Sequence, residues 1–131
     1  MRQERFTEQA QDAIISSQQL VGQFHHNQWD VEHILFALLM QERGLVGDIL
    51  SDLGVNVDEV KRQVEAALEK MPKVAYEATQ IYATPRINTL FTAADAESRR
   101  FQDEFIGTEH LLIAITQEEK EIGRASCRER V

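Results

Sequence analysis

The chain has 131 residues, enough for one domain built around one hydrophobic core. Its 22 acidic residues outnumber the 14 basic ones, and the net charge of −8 disfavours nucleic acid and anionic membranes as partners, because both require Lys/Arg patches. The single cysteine, Cys127, provides no disulfide framework and fits a reducing, cytoplasmic compartment. No apolar run predicts a membrane span, and the first residues do not form a signal peptide.

The apolar residues follow a helical period along most of the chain, which predicts an all-α fold of six helices. Capping residues and glycines mark the expected helix starts: Thr7, Asp30, Gly44, Asn56, Thr84 and Gly107. Gly54 suits the position after the third helix, where a left-handed backbone is required. Residues 25–28 are interpreted as a polar break, and no segment shows the alternation of a strand.

The chain contains an internal duplication. The segment 30–38, which begins Asp-Val-Glu-His, matches the segment 107–115, which begins Gly-Thr-Glu-His, without a gap. Equivalent positions of the two segments, such as 30 and 107, are always the same number of residues apart. This constant separation is here named the repeat offset. We therefore predict one domain over residues 1–120, composed of repeat one (1–70), a linker (71–80) and a truncated repeat two (81–120). Two such repeats are expected to leave a crevice at their junction, where a ligand segment would bind.

Truncation of repeat two has a structural consequence. It removes the counterparts of Leu45 to Leu68, so we expect exposed apolar surface on the fifth and sixth helices. Residues 121–131 have no helical period and resemble the conceptual translation of a sequencing adapter. We expect this tail to be non-native and leave it out of the fold prediction.

Motifs for catalysis are missing from the sequence. The glycines never form a phosphate-binding loop, and no H-E-x-x-H pair occurs. Glu32-His33 and Glu109-His110 are adjacent pairs about 100° apart on a helix, so we expect no metal ligation by either pair. The sequence thus predicts a non-enzymatic chain without a cofactor or metal of its own. His33 and His110 are each expected to tie a helix start to a neighbouring loop.

Several side chains have both a structural and a functional interpretation. Glu32 and Glu109 either stabilise a helix start or receive a cationic group such as a partner's guanidinium. Thr7 and Thr84 are N-caps, or they bind a ligand's anion at a helix start. The aromatic residues Trp29, Phe91 and Phe105 are core candidates, unless one of them borders an open groove.

The motif order resembles a known family. Phe6-Thr7-Glu8, the doubled Glu-His motif, Pro72-Lys73-Val74 and the segment 82–86 (Tyr-Ala-Thr-Pro-Arg) are similar to the Clp N-terminal repeat domain of AAA+ unfoldases. The resemblance covers residues 1–120. It is strongest to the branch of ClpB disaggregases, with the ClpC branch second because of Gly107-Thr108-Glu109-His110.

The resemblance implies a role in protein quality control and the stress response. Such a domain is a mobile module on a homohexameric, ATP-driven ring, and it engages unfolded or aggregated protein segments or adaptor proteins. ATP and Mg²⁺ would then belong to ATPase modules outside this sequence. The rival interpretations are a ClpC- or ClpA-type module that recognises adaptors or phosphoarginine marks, and a structural or regulatory spacer on the ring.

The resemblance also assigns site residues by motif. Thr7, Asp103 and Glu109 correspond to surface positions that support substrate handling in ClpB-type domains. Phe91 corresponds to an apolar groove position. Glu32 and Glu109 correspond to the ClpC-type glutamates that recognise phosphoarginine. Thr84 joins this set as the repeat-two counterpart of Thr7.

Overall fold

The protein is a helical domain, seen here in a computed structural model that describes residues 5–41, 44–74 and 80–117. The helices are α1 (Glu8–Gln23), α2 (Val31–Met40), α3 (Leu45–Asp52), α4 (Val57–Lys70), α5 (Pro85–Arg100) and α6, which is helical over residues 108–117. The all-α prediction is confirmed. The predicted non-native tail, 121–131, lies outside the described residues. No helix in the described ranges is long and apolar enough to cross a membrane.

The helix boundaries show the duplication directly. Helix α5 starts and ends at the positions equivalent to the start and end of α1, and the described part of α6 is displaced from α2 by the same repeat offset. The two bends that follow α1 and α5 also match, since His25 and Gln102 both have a φ of 59°. The prediction of two tandem, pseudo-symmetric helical repeats is therefore confirmed.

Helix α2 is the central helix of repeat one. Eight of its ten residues are buried, because it packs against α1 on one side and α4 on another. Its start is capped by Asp30, whose Oδ1 accepts the Val31 amide at 2.8 Å. The start of α4 is likewise capped by Asn56, which accepts the Glu59 amide at 3.2 Å.

Two short parallel pairings join the repeats to each other. Strands β1 (Gln28–Trp29) and β2 (Tyr82–Ala83) pair in parallel, and an isolated parallel bridge joins Phe6 to Ile106. The repeat offset relates position 6 to position 83 and position 29 to position 106, so the two links are symmetry-equivalent. In each repeat, the segment that precedes the first helix thus pairs with the loop that follows the first helix of the other repeat. Pattern analysis missed these strands because two residues cannot show alternation.

Burial corrects three expectations. The fifth and sixth helices leave no large apolar side chain exposed over their described residues, because Leu111, Leu112 and Ile115 of α6 join the same core cluster as repeat one. His26, interpreted as part of a polar break, is only 2% exposed. Phe105, a core candidate, is 47% exposed, because the loop between α5 and α6 turns it away from that cluster.

One ion pair reinforces the link between the repeats. The Arg5 guanidinium donates to Asp95 Oδ1 at 2.6 Å and also to the Glu104 carbonyl, so it joins the leading segment to α5 and to the loop after it. The hydrogen bond from Arg5 lowers the pKa of the Asp95 carboxyl. Both side chains are partly buried, which limits screening by solvent.

We predict that Arg5→Met lowers the free energy of unfolding by about 1–2 kcal/mol, because it removes charge-assisted hydrogen bonds between the repeats. Arg99→Met is the matched control, since Arg99 contacts the same Asp95 carboxylate from within α5 but is 70% exposed. Its loss is expected to stay within about 0.5 kcal/mol. Urea unfolding of both variants measures the difference, and equal losses would contradict the assignment.

Candidate functional site

The junction of the repeats contains an apolar cleft with a volume of about 160 Å³, here named the junction cleft. Its lining comes from the leading segment, α1, β1 and α5: Phe6, Gln11, Ile14, Ile15, Gln18, Trp29 and Phe91. Ile14 and Phe91 are equivalent positions of the two repeats, so equivalent faces of α1 and α5 both line the cleft. This is the crevice that the duplication predicts.

The aromatic residues of the cleft support one another. The Phe91 ring meets the edges of Phe6 and Trp29, with centroid distances of 5.4 and 6.0 Å. The indole of Trp29 is fixed because its Nε1–H donates to Ser17 Oγ at 2.9 Å. Ile15 remains 49% exposed at the rim. The cleft therefore presents apolar surface to solvent above the packed rings of Phe6, Trp29 and Phe91.

A larger recess of about 410 Å³ lies along α1 and the end of α2. Four of its seven lining residues are polar, and all seven come from repeat one: Gln9, Asp12, Ser16, Ala37, Met40, Gln41 and Gly44. The junction cleft is the better binding candidate, since five of its seven lining side chains are apolar and both repeats contribute.

Of the six site residues expected from the sequence, only Phe91 lines the junction cleft. Thr7 caps α1, its hydroxyl accepting the Ala10 amide at 3.2 Å, while its own amide donates to the Ile106 carbonyl. Thr84 begins α5, but its hydroxyl makes no capping bond and instead donates to Asp30 Oδ1 at 2.9 Å. The structure does not bring the remaining three, Glu32, Asp103 and Glu109, into the cleft.

The carboxylate of Glu32 already has an internal cationic partner. Arg86 of α5 places Nη1 at 3.2 Å from Glu32 Oε1 and at 3.2 Å from Asp30 Oδ2. The guanidinium expected from a partner protein is thus supplied within the chain, by the other repeat. Sequence reasoning missed this contact because Arg86 lies 54 residues from Glu32.

Glu109 has a different environment from Glu32. Gln9 stands at the position equivalent to Arg86, and among the described residues no Lys or Arg forms an ion pair with Glu109. Gly107 replaces Asp30 at the helix start, and the Glu109 carboxylate folds over it, within 2.5 Å of where a Cβ would lie. Only a glycine leaves room for that arrangement. Glu109 is therefore the carboxylate that is open to an external cation.

Asp103, Glu109 and His110 bring ligand atoms within 4.8 Å of one another. The argument that adjacent Glu and His residues cannot face one ion is therefore wrong here, because the missing Cβ at Gly107 lets Glu109 fold back. Both ring nitrogens of His110 are nevertheless engaged: Nδ1 accepts the Gly107 amide at 2.8 Å, and Nε2 bonds Asp103 Oδ2 at 2.9 Å. A metal would have to break these bonds, so we assign no metal site.

His33 makes the equivalent bonds in repeat one. Its Nδ1 accepts the Asp30 amide at 3.0 Å, so the neutral ring carries its proton on Nε2, which bonds His26 Nδ1 at 2.8 Å. The prediction that His33 and His110 tie helix starts to loops is confirmed. Burial lowers the pKa of His33 to about 4, with His26 adding to the shift, and burial also lowers the pKa of His26. The role of His26 as the partner of His33 could have been found from the repeat offset, because His26 aligns with Asp103, the partner of His110.

We predict that the free energy of unfolding falls by about 2 kcal/mol between pH 7 and pH 5 through His33 alone. The unfolded state binds the proton near the ordinary pKa of 6.5, whereas the folded state binds it only near 4. The stability is thus complete above pH 6.5 and is lost as the pH falls towards 4. Urea unfolding at each pH measures the loss, and NMR titration of His33 checks its pKa. A His33 titration near pH 6.5 in the folded protein would contradict the prediction.

Comparisons with known proteins agree with the fold and the duplication. The profile of the Clp repeat (R) N-terminal domain family matches residues 5–129. Chaperone protein ClpB 1 of Synechocystis sp. is 36% identical over 124 residues, which cover 95% of this chain but only 14% of that protein. The chain therefore spans about one seventh of the length of this curated relative.

Solved structures show the same fold at low sequence identity. The Hsp104 N-terminal domain from Candida albicans has a TM-score of 0.79 at 20% identity, covering 92% of this chain and 80% of that one. The ClpV N-domain in a complex with a VipB peptide has a TM-score of 0.75 at 19% identity, covering 89% and 71%. By its matching profile, its relatives and its paired helical repeats, this chain belongs to the Clp repeat N-terminal domain family.

Proposed function

We propose that this domain captures unfolded or aggregated protein segments for an ATP-dependent Clp-type chaperone, and that the junction cleft is where they bind. The observation that carries the proposal is the apolar lining of the cleft, which both repeats build and which stays open at Ile15. The solved complex of a ClpV N-domain with a VipB peptide supports peptide binding as an activity of this fold.

The size and charge of the site define the segment that fits. A cavity of about 150 Å³ accommodates a benzene-sized group, so a cleft of about 160 Å³ takes one aromatic or branched aliphatic side chain. The exposed amide of Gln18 at the rim is positioned to bond the backbone beside that side chain. The net charge of −8 favours segments with Lys or Arg next to the apolar anchor.

Binding to one copy of the domain is expected to be weak. A single anchored side chain gives a Kd of about 1 µM or weaker, because ordering the flexible segment offsets most of the contact energy. Several copies on one hexameric ring raise the effective concentration enough to compensate. We propose that the domain itself is not an enzyme, needs no cofactor and works in the cytoplasm, with ATP and Mg²⁺ bound by the ATPase modules of the full-length chaperone.

One observation favours a second candidate function, recognition of cationic or phosphoarginine-marked groups on substrates or adaptors. Glu109 is open to an external guanidinium, whereas Arg86 already occupies Glu32. A ClpC-like mode that uses both glutamates would therefore be reduced to one site in this chain. The remaining alternative is a spacer or regulator on the ring, which requires no substrate binding at the junction cleft or at Glu109.

We predict that a Trp-free peptide with one Phe or Leu anchor between Lys residues changes the fluorescence of Trp29, the only tryptophan of the chain. Ile15→Ser is expected to weaken this binding about tenfold, or about 1.4 kcal/mol, because the rim loses its exposed apolar contact. Ile15 is half-exposed in the free domain, so its replacement leaves the core intact.

Leu53→Ser is the matched control for that titration. Leu53 is an apolar residue outside the cleft and is 72% exposed, so its replacement removes apolar surface without touching the site. Equal affinities of the wild type and Ile15→Ser, or an equal loss in Leu53→Ser, would show that the cleft is not the site. A lack of any binding would favour the spacer interpretation.

We also predict that the two glutamates differ in their effect on an Arg-containing peptide. Glu109→Gln is expected to weaken binding by about 0.5–1 kcal/mol at low salt, since an exposed ion pair is lost. Glu32→Gln serves as the isosteric control and is expected to leave affinity unchanged, because its carboxylate is engaged by Arg86. Isothermal titration calorimetry distinguishes the two, and equal effects would reject the asymmetry.

A further inference from the structure

The two helix-start histidines attach their loops through different acceptors. In repeat one, His33 Nε2 bonds the imidazole of His26, whereas in repeat two His110 Nε2 bonds the carboxylate of Asp103. The two acceptors occupy equivalent positions, related by the repeat offset. The loops they attach are also equivalent: residues 24–30, here named the latch loop, and residues 101–107.

The hydrogen bonds of repeat one leave no place for an additional proton. A second proton on His33 would go to Nδ1, which faces the Asp30 N–H. A second proton on His26 would go to Nδ1, which faces the His33 Nε2–H. Either proton breaks one hydrogen bond of the Asp30–His33–His26 series. In repeat two, a second proton on His110 would also displace the Gly107 amide from Nδ1, but the Asp103 carboxylate would still accept from Nε2, so the bond to the loop would persist.

The surroundings only partly compensate a charged imidazolium at His26 or His33, because burial outweighs the Leu68 backbone and the nearby carboxylates, and the pKa of both rings is lowered. Both rings are buried, and Phe24 stacks on His26 with a centroid distance of 5.7 Å. The charged groups that face the pair are already engaged with others or exposed. Glu69 and Lys73 at the end of α4 pair with each other at 2.7 Å, Asp30 is held by Arg86, and His25 is exposed.

The latch loop connects the pair to the junction cleft. It contains Trp29, which lines the cleft, packs on Phe91 and pairs with Ala83 of repeat two. We infer that the His26–His33 hydrogen bond is an acid-responsive latch, which holds the latch loop and the Trp29 edge of the cleft in place until a proton releases them.

Linkage sets the direction and range of the response. Burial lowers the pKa of His33 to about 4 and also lowers the pKa of His26, and both return towards 6.5 when the loop is released. The released state therefore binds protons at pH values where the closed state does not, so acid favours release between pH 6.5 and 4. In repeat two the acceptor of the His110 Nε2 bond is the Asp103 carboxylate, so that bond does not require a neutral imidazole as its acceptor.

The test follows Trp29 emission and far-UV circular dichroism of the whole chain during an acid titration. The expected result is a shift of Trp29 emission to longer wavelength with a midpoint between pH 6.5 and 4, while the helical signal persists. A Trp29 signal that changes only together with the helical signal, at one common midpoint, would overturn the proposal.

Two variants identify the group responsible. His26→Asp gives the latch loop the acceptor that repeat two uses and is expected to move the Trp29 midpoint by about one pH unit or more to lower pH. His25→Gln is the control, because His25 is exposed and Gln102 occupies the equivalent position with the same φ. A midpoint that is unchanged in His26→Asp, or moves as far in His25→Gln, would overturn the assignment.

If His26→Asp does not fold, the converse variant Asp103→His decides. It places a His–His pair in repeat two, at an exposed position, and is expected to create acid-dependent exchange of the Thr7 amide, which donates to the Ile106 carbonyl. Asp103→Asn is its non-titrating control, and identical exchange in the two would overturn the proposal. Loss of peptide binding in acid rests on the proposed function, but the Trp29 and exchange measurements need no ligand and test the latch separately.

Discussion

The reciprocal backbone pairing of the two repeats is the interaction on which the rest of the structure depends. Thr7 donates its amide to the Ile106 carbonyl at 2.9 Å, and Thr84 donates to the Trp29 carbonyl at 3.0 Å. Each repeat thus donates one of two equivalent bonds to the other and accepts the second. This exchange brings Phe6 and Trp29 to the junction cleft, which residues of α1 and α5 also line.

The functional features arise where the two copies have diverged. Arg86 in repeat two has Gln9 as its counterpart in repeat one. The Glu32 carboxylate is therefore paired with Arg86, whereas the equivalent Glu109 carboxylate has no such partner among the described residues. His26 has Asp103 as its counterpart, so one loop is attached through a titrating acceptor and the other through a carboxylate. The shared backbone geometry makes such single substitutions directly comparable, because each copy serves as the reference for the other.

Local features of the fold were predictable from the sequence because their causes are local. The caps Thr7, Asp30 and Asn56 were found where expected, since a capping side chain bonds an amide within three residues. Gly54 has the expected positive φ of 80° after α3. The repeat offset also predicted the equivalence of α1 with α5 and the crevice between them.

The sequence by itself determined the helices, the caps Thr7, Asp30 and Asn56, and the duplication, because hydrophobic period and capping act over a few residues. Only the tertiary structure decided which side chains are engaged. It buried His26 against His33, paired Arg86 with Glu32, and turned Phe105 out to solvent. These outcomes depend on the relative placement of helices, which brings Arg86 to Glu32 although 54 residues separate them. No local pattern encodes such a contact, since its energy exists only when both repeats are folded against each other.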